Sequence, residues 1–340
     1  MKKLTALFMM CVILIAALGG CSNNQKDDAS QEIATTAPTL GADDTQEAAE
    51  PTVTAAADTG ITYPYVYQDA AGREVTISQE PVKVVTDYLP LWETLVMLDV
   101  MPIAATGATN YIATWDAFEG YDVTSVEELG ESEVNLEKLV ELQPDIILHQ
   151  TYDLNNLEID NLEKVAPVAV FGNDTKMDWR LSLREVAKVV NKEAKAEEVI
   201  SELDDKLAQA REELVQKYEG QTIIQFSLMG EDRYFCAYRP DLYDDETGLG
   251  LNLPEGYTTS QTYEQISMES IVAMNPDYIF INIFDGDEAL YENLQNNTVW
   301  NSLKAVKEEH VYILDGSGHA CSPLATLYTI NFITDALISQ

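Results

Sequence analysis

Basic side chains are scarce in this sequence. Its 340 residues hold 20 Lys and Arg against 58 Asp and Glu, a formal net charge of −38. Phosphate contacts need clustered Lys and Arg, so this balance excludes a nucleic-acid binder. It equally disfavours a hold on anionic lipid through basic patches. Histidine is nearly absent, with only His149, His310 and His319, whereas capture of a bare transition metal needs three or four converging His, Asp or Glu ligands. Catalytic loops are missing too: there is no Gly-x-Ser-x-Gly elbow, no Walker loop and no His-Glu-x-x-His. Ser317, His319 and Cys321 lie close in sequence, but triads converge by folding and adjacency carries no weight. No enzyme is expected. Long apolar runs are confined to Leu4–Leu18, too short for a comfortable bilayer span.

That short run is informative. Lys2 and Lys3 precede it and Leu18-Gly19-Gly20-Cys21 follows, which reads as a secretory signal. The small residues before a cysteine resemble the bacterial lipoprotein signal, implying cleavage before Cys21 and diacylglycerol modification of that cysteine. The expected location is extracytoplasmic, lipid-anchored to the cell membrane. Residues 22–60 are rich in Ala, Thr, Asp, Glu, Gln and Pro with few large apolar side chains, too few to offset their ordering entropy. They read as a tether with a reach of roughly 35 Å. Without residues 1–60, which carry three basic and eight acidic side chains, 50 acids face 17 bases, a net of about −33. Of four cysteines, Cys236 and Cys321 remain for the globular part; an exported setting permits a bridge between them, and two buried thiols fit as well.

Beyond residue 60 the pattern is α/β. Tyr65–Ile77 reads as a hairpin around Asp69-Ala70-Ala71-Gly72. Strands are expected at Lys83–Thr86, Ile103–Thr106, Ile146–His149 and Val168–Phe171, then at Thr222–Leu228, Tyr234–Tyr238, Tyr278–Ile283 and Val311–Leu314. Helical patterns fall at Leu91–Leu98, Leu136–Leu142, Ile159–Val165, Met268–Met274, Val299–Val306 and Leu324–Leu337. Such alternation implies largely parallel sheets in α/β layers. Asp178–Tyr218 is a long helical stretch interrupted near Asn191. Its second part puts Ala196, Val199, Ile200, Leu203, Leu207, Ala210 and Leu214 on one stripe. The expected division is a signal over 1–20, lipidated Cys and tether over 21–60, a lobe over 61–177, a connecting helix over 178–218 and a second lobe over 219–340.

The chain also repeats itself. Asn135–Leu148 aligns without gaps on Ser267–Phe280, 132 residues later. Each copy has a polar cap residue, a short helix stopped by Pro-Asp, and a buried strand. Two similar lobes follow from this. Glu137 and Glu269 occupy equivalent first-turn positions. An acid there is favoured by the helix dipole; one exposed carboxylate per lobe also offers matched docking points for a two-fold partner.

These residues resemble a known family, the bacterial solute-binding lipoproteins of ABC importers that deliver ferric siderophores, haem and cobalamin. The resemblance covers roughly Tyr65–Gln340. It rests on the ordered set of Asp69–Ile77 with Pro81–Val85, Leu129-Gly130, the two Glu…Pro-Asp units, the helix Glu193–Tyr218, and Trp300 with Leu303–Leu314. It implies two Rossmann-like lobes joined by a long α-helix, with ligand in a shallow cleft between them. It also implies that Glu137 and Glu269 meet arginines on an ABC permease dimer with its ATPase. The protein itself is expected to be a monomer with no cofactor of its own and no bound metal.

Ligands in α/β lobes lie beyond the carboxyl ends of parallel strands. The segments there offer Tyr88, Trp92, Tyr111, Trp115 and Tyr152 in the first lobe, and Trp179 with Arg180 at the start of the connecting helix. The second lobe adds Arg233, Tyr234, Tyr238, Arg239, Tyr243 and Tyr263, with His319 after the last strand. Such a surface suits a partly apolar ligand of about 500–1,000 Da. A tris-catecholate iron complex needs a concentrated basic pocket, which the few Lys near strand ends do not furnish. A hydroxamate-like ferric siderophore is therefore preferred, with cobalamin, haem or a bare manganese or zinc ion as alternatives. His149 reads as a satisfied structural histidine, and a surface role is expected for His310.

Overall fold

The computed structural model describes residues 61–110, 115–230 and 233–338. The signal peptide, Cys21, the tether and Tyr111 lie outside the described residues. The described residues open on the expected hairpin, β1 (Tyr65–Gln68) antiparallel to β2 (Glu74–Ile77). Asp69 explains its sequence. Its buried carboxylate accepts the Ala71 and Arg73 amides at 3.0 and 2.9 Å and pairs with the Arg73 guanidinium. Arg73 in turn donates to the Val168 carbonyl at 2.8 Å, fastening the hairpin to the edge of the first lobe.

The first lobe contains β3 (Val84–Thr86), α1 (Leu89–Met97), β4 (Ala104–Ala105), β5 (Glu127–Glu128), α2 (Leu136–Leu142), β6 (Ile146–Gln150) and β7 (Val168–Phe171). Its sheet is wholly parallel in the order β5-β4-β3-β6-β7. β3 and β7 are buried throughout, as a strand covered by helices on both faces must be. Two helices lead on: α3 (Trp179–Val190), capped by the Asp178 carboxylate, and α4 (Glu193–Lys217). Asn191 stands between them in the left-handed region at φ 57°, which ends α3. The buried positions of α4 are the seven of the predicted stripe.

The second lobe contains β8 (Ile223–Leu228), β9 (Tyr234–Cys236), β10 (Glu264–Ile266), α5 (Met268–Met274), β11 (Tyr278–Ile283), β12 (Val311–Leu314) and α6 (Pro323–Ile338). Strand order is β10-β9-β8-β11-β12. β8, β11 and β12 are parallel, but β9 and β10 run antiparallel to their neighbours. The link from β8 to β9 is five residues long, too short for a crossover, so only a hairpin can form there. In both lobes the first strand is central, the next two extend to one side and the last two to the other.

The repeat is visible atom by atom. Asn135 and Ser267 cap α2 and α5 by accepting from Lys138 N and Ser270 N. Gln143 and Asn275 end those helices at φ 48° and 42°. Asp145 then accepts from Val82 N and Lys83 N, and Asp277 from Thr222 N.

Some predicted elements change. Ile159–Val165 forms turns instead of a helix: Pro167 follows closely, and the residue before a proline resists the α conformation. Val299–Val306 breaks into a 3-10 turn and a short helix because Leu303 is extended, at ψ 146°. The helix Glu288–Gln295 and the polar edge strands β5 and β10 had no apolar periodicity to announce them.

One apolar cluster runs from Tyr67 in the hairpin through α1, α3 and α4 to Leu337 in α6 and includes both lobes. A second, around Val85, Leu129, Ile147 and Val170, fills the other face of the first lobe's sheet. Helix α6 packs on α1, α3 and α4 together. Cys236 and Cys321 are buried free thiols, each pushed up to about 11 by burial.

Candidate functional site

Each lobe has a point where its strand order reverses, between β3 and β6 and between β8 and β11. Crevices form at such points beyond the carboxyl strand ends. Here the two face one cavity of about 730 Å³, bounded by residues that follow β3, β6, β8, β11 and β12. That volume suits a ligand of several hundred daltons.

The first lobe supplies Tyr88, which is the N-cap residue of α1, and Tyr152 beyond β6. Their hydroxyls are 3.0 Å apart and the rings meet edge to face. Burial and the Tyr152 hydroxyl push the Tyr88 pKa well up, so it stays a neutral phenol. Lys176 Nζ donates to Tyr152 Oη at 3.2 Å and lies 4.4 Å from the ring centroid. Behind this wall His149 Nδ1 pairs with Asp87, whose other oxygen accepts from Gln150 N at 3.2 Å.

The second lobe supplies Tyr263, Phe284, Asp285 and His319. Tyr263 stacks on His319 with centroids 4.3 Å apart, and its hydroxyl donates to the His319 carbonyl. Burial, reinforced by the Arg239 and Lys176 charges, pushes His319 down to about 3 and keeps the ring neutral. Trp115 comes from the first lobe but reaches Phe284 of the second, centroids 6.1 Å apart. Gly316 makes room for it: a Cβ there would fall 2.7 Å from the Trp115 ring. Beside this contact, Asp116 N donates to Asp315 Oδ2 at 2.7 Å and Ala117 N to Ser317 Oγ at 3.0 Å.

Of the residues singled out in sequence, Tyr88, Trp115, Tyr152, Tyr263 and His319 line the cavity. Others lie elsewhere. Trp92 is fully buried on α1 against Phe118, 4.7 Å away, and belongs to the core. Tyr234 is core as well, edge-on to Phe226, because its side chain falls on the inner face of β9. Tyr238 packs on buried Tyr243. Arg239 is buried, paired with Asp241 and donating to the Gly318 carbonyl at 2.7 Å, so its charge is consumed inside the lobe. Trp179 and Arg180 border a neighbouring cavity of about 620 Å³; Arg180 is held by Asp204 and the Thr247 carbonyl. Arg233 sits over the Phe235 ring, away from the cavity. Glu137 and Glu269 are exposed in the first turns of α2 and α5.

Lys176, Phe284, Asp285 and Met229 were missed. Met229 and the Phe284-Asp285 pair directly follow predicted strands, so the strand-end rule reaches them, although their side chains are not among the Tyr, Trp, Arg and His types singled out there. Among the described residues no group of three or more His, Cys, Asp or Glu side chains converges as a metal site. No helix among them is long and apolar enough to cross a membrane.

Residues 84–317, well over half of the chain, match the periplasmic binding protein family. The chain belongs to that family. Among relatives of this periplasmic binding protein, the iron(3+)-hydroxamate-binding protein FhuD of Bacillus subtilis (strain 168) is 28% identical over 349 residues, spanning 99% of this chain and 98% of its own. The probable siderophore-binding lipoprotein YfiY of the same strain is 27% identical over 260 residues, 72% of this chain and 78% of its own. Among solved structures, the triscatecholate siderophore-binding protein FeuA of Bacillus subtilis, complexed with ferri-bacillibactin, superposes with a TM-score of 0.68 at 23% identity. The match covers 81% of this chain and 99% of that one, and bears on the fold.

Proposed function

We propose that this periplasmic binding protein captures a ferric siderophore of low net charge, of the hydroxamate type, and delivers it to an ABC permease. The observation that carries the reading is the charge balance of an aromatic cleft shared by both lobes. Lys176 and Asp285 are the charged side chains among its described lining residues, and His319 is neutral. A trianionic tris-catecholate complex would meet one ammonium group in a protein whose globular part carries about −33. A neutral trihydroxamate meets no such barrier, and its apolar arms match Tyr88, Trp115, Tyr263 and Phe284. The FhuD likeness supports the same choice. Iron is cargo here, carried inside its own chelator.

Delivery follows from the exposed pair Glu137 and Glu269, one on each lobe, as docking points for a dimeric permease. A lipid on Cys21 would hold the protein at the outer face of the membrane. Titration of tryptophan fluorescence with ferric hydroxamates, ferric catecholates, ferric citrate, haem and cobalamin tests the ligand. Sub-micromolar quenching by a ferric hydroxamate is expected, and it should vanish in Trp115→Phe, because Trp92, Trp179 and Trp300 are buried away from the cavity. A response to a catecholate or haem alone would overturn the assignment.

A further inference from the structure

Beneath the second lobe's wall runs a directed chain of hydrogen bonds. Arg239 Nη1 donates to Gln225 Oε1 at 3.4 Å. Gln225 Nε2 donates to Asn282 Oδ1 at 3.1 Å, and Asn282 Nδ2 to Ser227 Oγ at 3.0 Å. Ser227 Oγ is 2.8 Å from His319 Nδ1. The direction is set at the start, because a guanidinium can only donate. It is checked again midway, where Gln225 Nε2 also donates to the Gly318 carbonyl at 3.0 Å, an atom that can only accept. Each amide therefore has one orientation. Ser227 accepts from Asn282 and is fully buried, and among the described residues His319 Nδ1 is the acceptor within reach of its own hydrogen, which would otherwise be buried unpaired.

A neutral imidazole whose Nδ1 accepts must carry its hydrogen on Nε2. His319 lines the cavity, and among the described residues no protein group is bonded to its Nε2. The close fit of the relay is also visible at Gly318, where any Cβ would collide with the Asn282 amide oxygen. We infer that this relay locks His319 in the Nε2–H tautomer and presents it to the cleft as an uncharged donor for an acceptor oxygen of the ligand, a hydroxamate or amide carbonyl. Such a donor selects a ligand rich in acceptors without adding charge, and it disfavours one that presents an ammonium or hydroxyl hydrogen at that spot. Gln225, Asn282 and Ser227 act through His319 and are positioning residues. The ligand half of this inference rests on the function proposed above; the tautomer half does not.

Two measurements separate those halves. Ring 15N chemical shifts of histidine-labelled protein without ligand, with His319 assigned by its loss in His319→Phe, should show a neutral ring with hydrogen on Nε2 at pH 7. In Asn282→Asp the carboxylate can only accept, so Ser227 turns its hydrogen away and the histidine hydrogen should move to Nδ1. Ser227→Ala, which removes the donor to Nδ1 with less disturbance of the core, should likewise lose the fixed tautomer. Binding of ferrioxamine E, a neutral ferric trihydroxamate without an amine, should weaken about tenfold in His319→Phe, which keeps the stacking on Tyr263 but has no N–H. It should weaken at least as much in Asn282→Asp. An Nδ1–H or charged ring in the unaltered protein would overturn the inference, and so would unchanged affinity in both His319→Phe and Asn282→Asp. If the tautomer is as assigned but no iron chelate binds the unaltered protein, the transport reading fails while the relay stands.

Discussion

Glu93 lies fully buried on α1, facing Ser322 at the start of α6, with Asp315 and Arg239 also contributing to its surroundings. Burial pushes its carboxyl from an ordinary 4.5 up to about 8, so at neutral pH it is mostly protonated. A value raised in the folded state means the associated stability is complete below about pH 4.5 and is withdrawn as pH climbs through about 8. Glu93→Gln, similar in shape but unable to ionise, should remove that slope. Urea unfolding at pH 5 and pH 8 should show the unaltered protein losing ground to the variant by on the order of 1 kcal/mol per pH unit across that window. Parallel pH profiles for the two proteins would refute the assignment. Gly316 makes a second single-residue test: in Gly316→Ala the added methyl, 2.7 Å from the Trp115 ring, must displace it. Weaker chelate binding is expected, by about tenfold if one aromatic contact is lost, with thermal stability little changed. Full affinity in that variant would mean that Trp115 takes no part in the site.

At the scale of elements, what sequence could show depended on whether the controlling interaction was local. The two Glu…Pro-Asp units were legible because cap, helix, stop and strand lie within fourteen consecutive residues, and Asn135 and Ser267 do cap as their positions suggest. The break at Asn191 was legible for the same reason. β9 was legible as a strand, but its antiparallel direction, set by a five-residue link, was not; β10 was not legible, because its residues are mostly polar and exposed. The strand-end rule located the cleft, but which face a strand-end side chain takes is decided by packing. Tyr88 reaches the cavity and Trp92, four residues on, does not. Arg239 shows a further limit: its neutralising Asp241 lies two residues away and was in view, but the burial of the pair and the Gly318 carbonyl that also accepts from the guanidinium arise only in the folded lobe. The first turns of α2 and α5 carry their own prediction. Its own backbone amide and the Ser267 hydroxyl hold the Glu269 carboxyl below the usual range, so it stays charged. Reversal of both charges, Glu137→Lys with Glu269→Lys, should leave chelate affinity in solution unchanged while abolishing uptake in cells. Uptake at the original rate would remove these glutamates from the docking surface.

For the whole molecule, the decisive fact is that one apolar cluster includes both lobes, α4 and α6. Cores that are shared unfold together. Calorimetry of the globular part should give a single transition with equal calorimetric and van't Hoff enthalpies; two resolved transitions would mean independent lobes. A shared core also limits how far the lobes can part, so any closure around a bound molecule is expected to be small.

The placement of α6 has another consequence. This helix is the last of the described elements, yet it packs on α1 from the start of the first lobe as well as on α3 and α4. Folding that proceeds from the amino end therefore leaves apolar faces of α1, α3 and α4 uncovered until residues 323–338 pack on them. Closure of the shared core is then a late event of folding, and loss of residues 323–338 would uncover three helices at once.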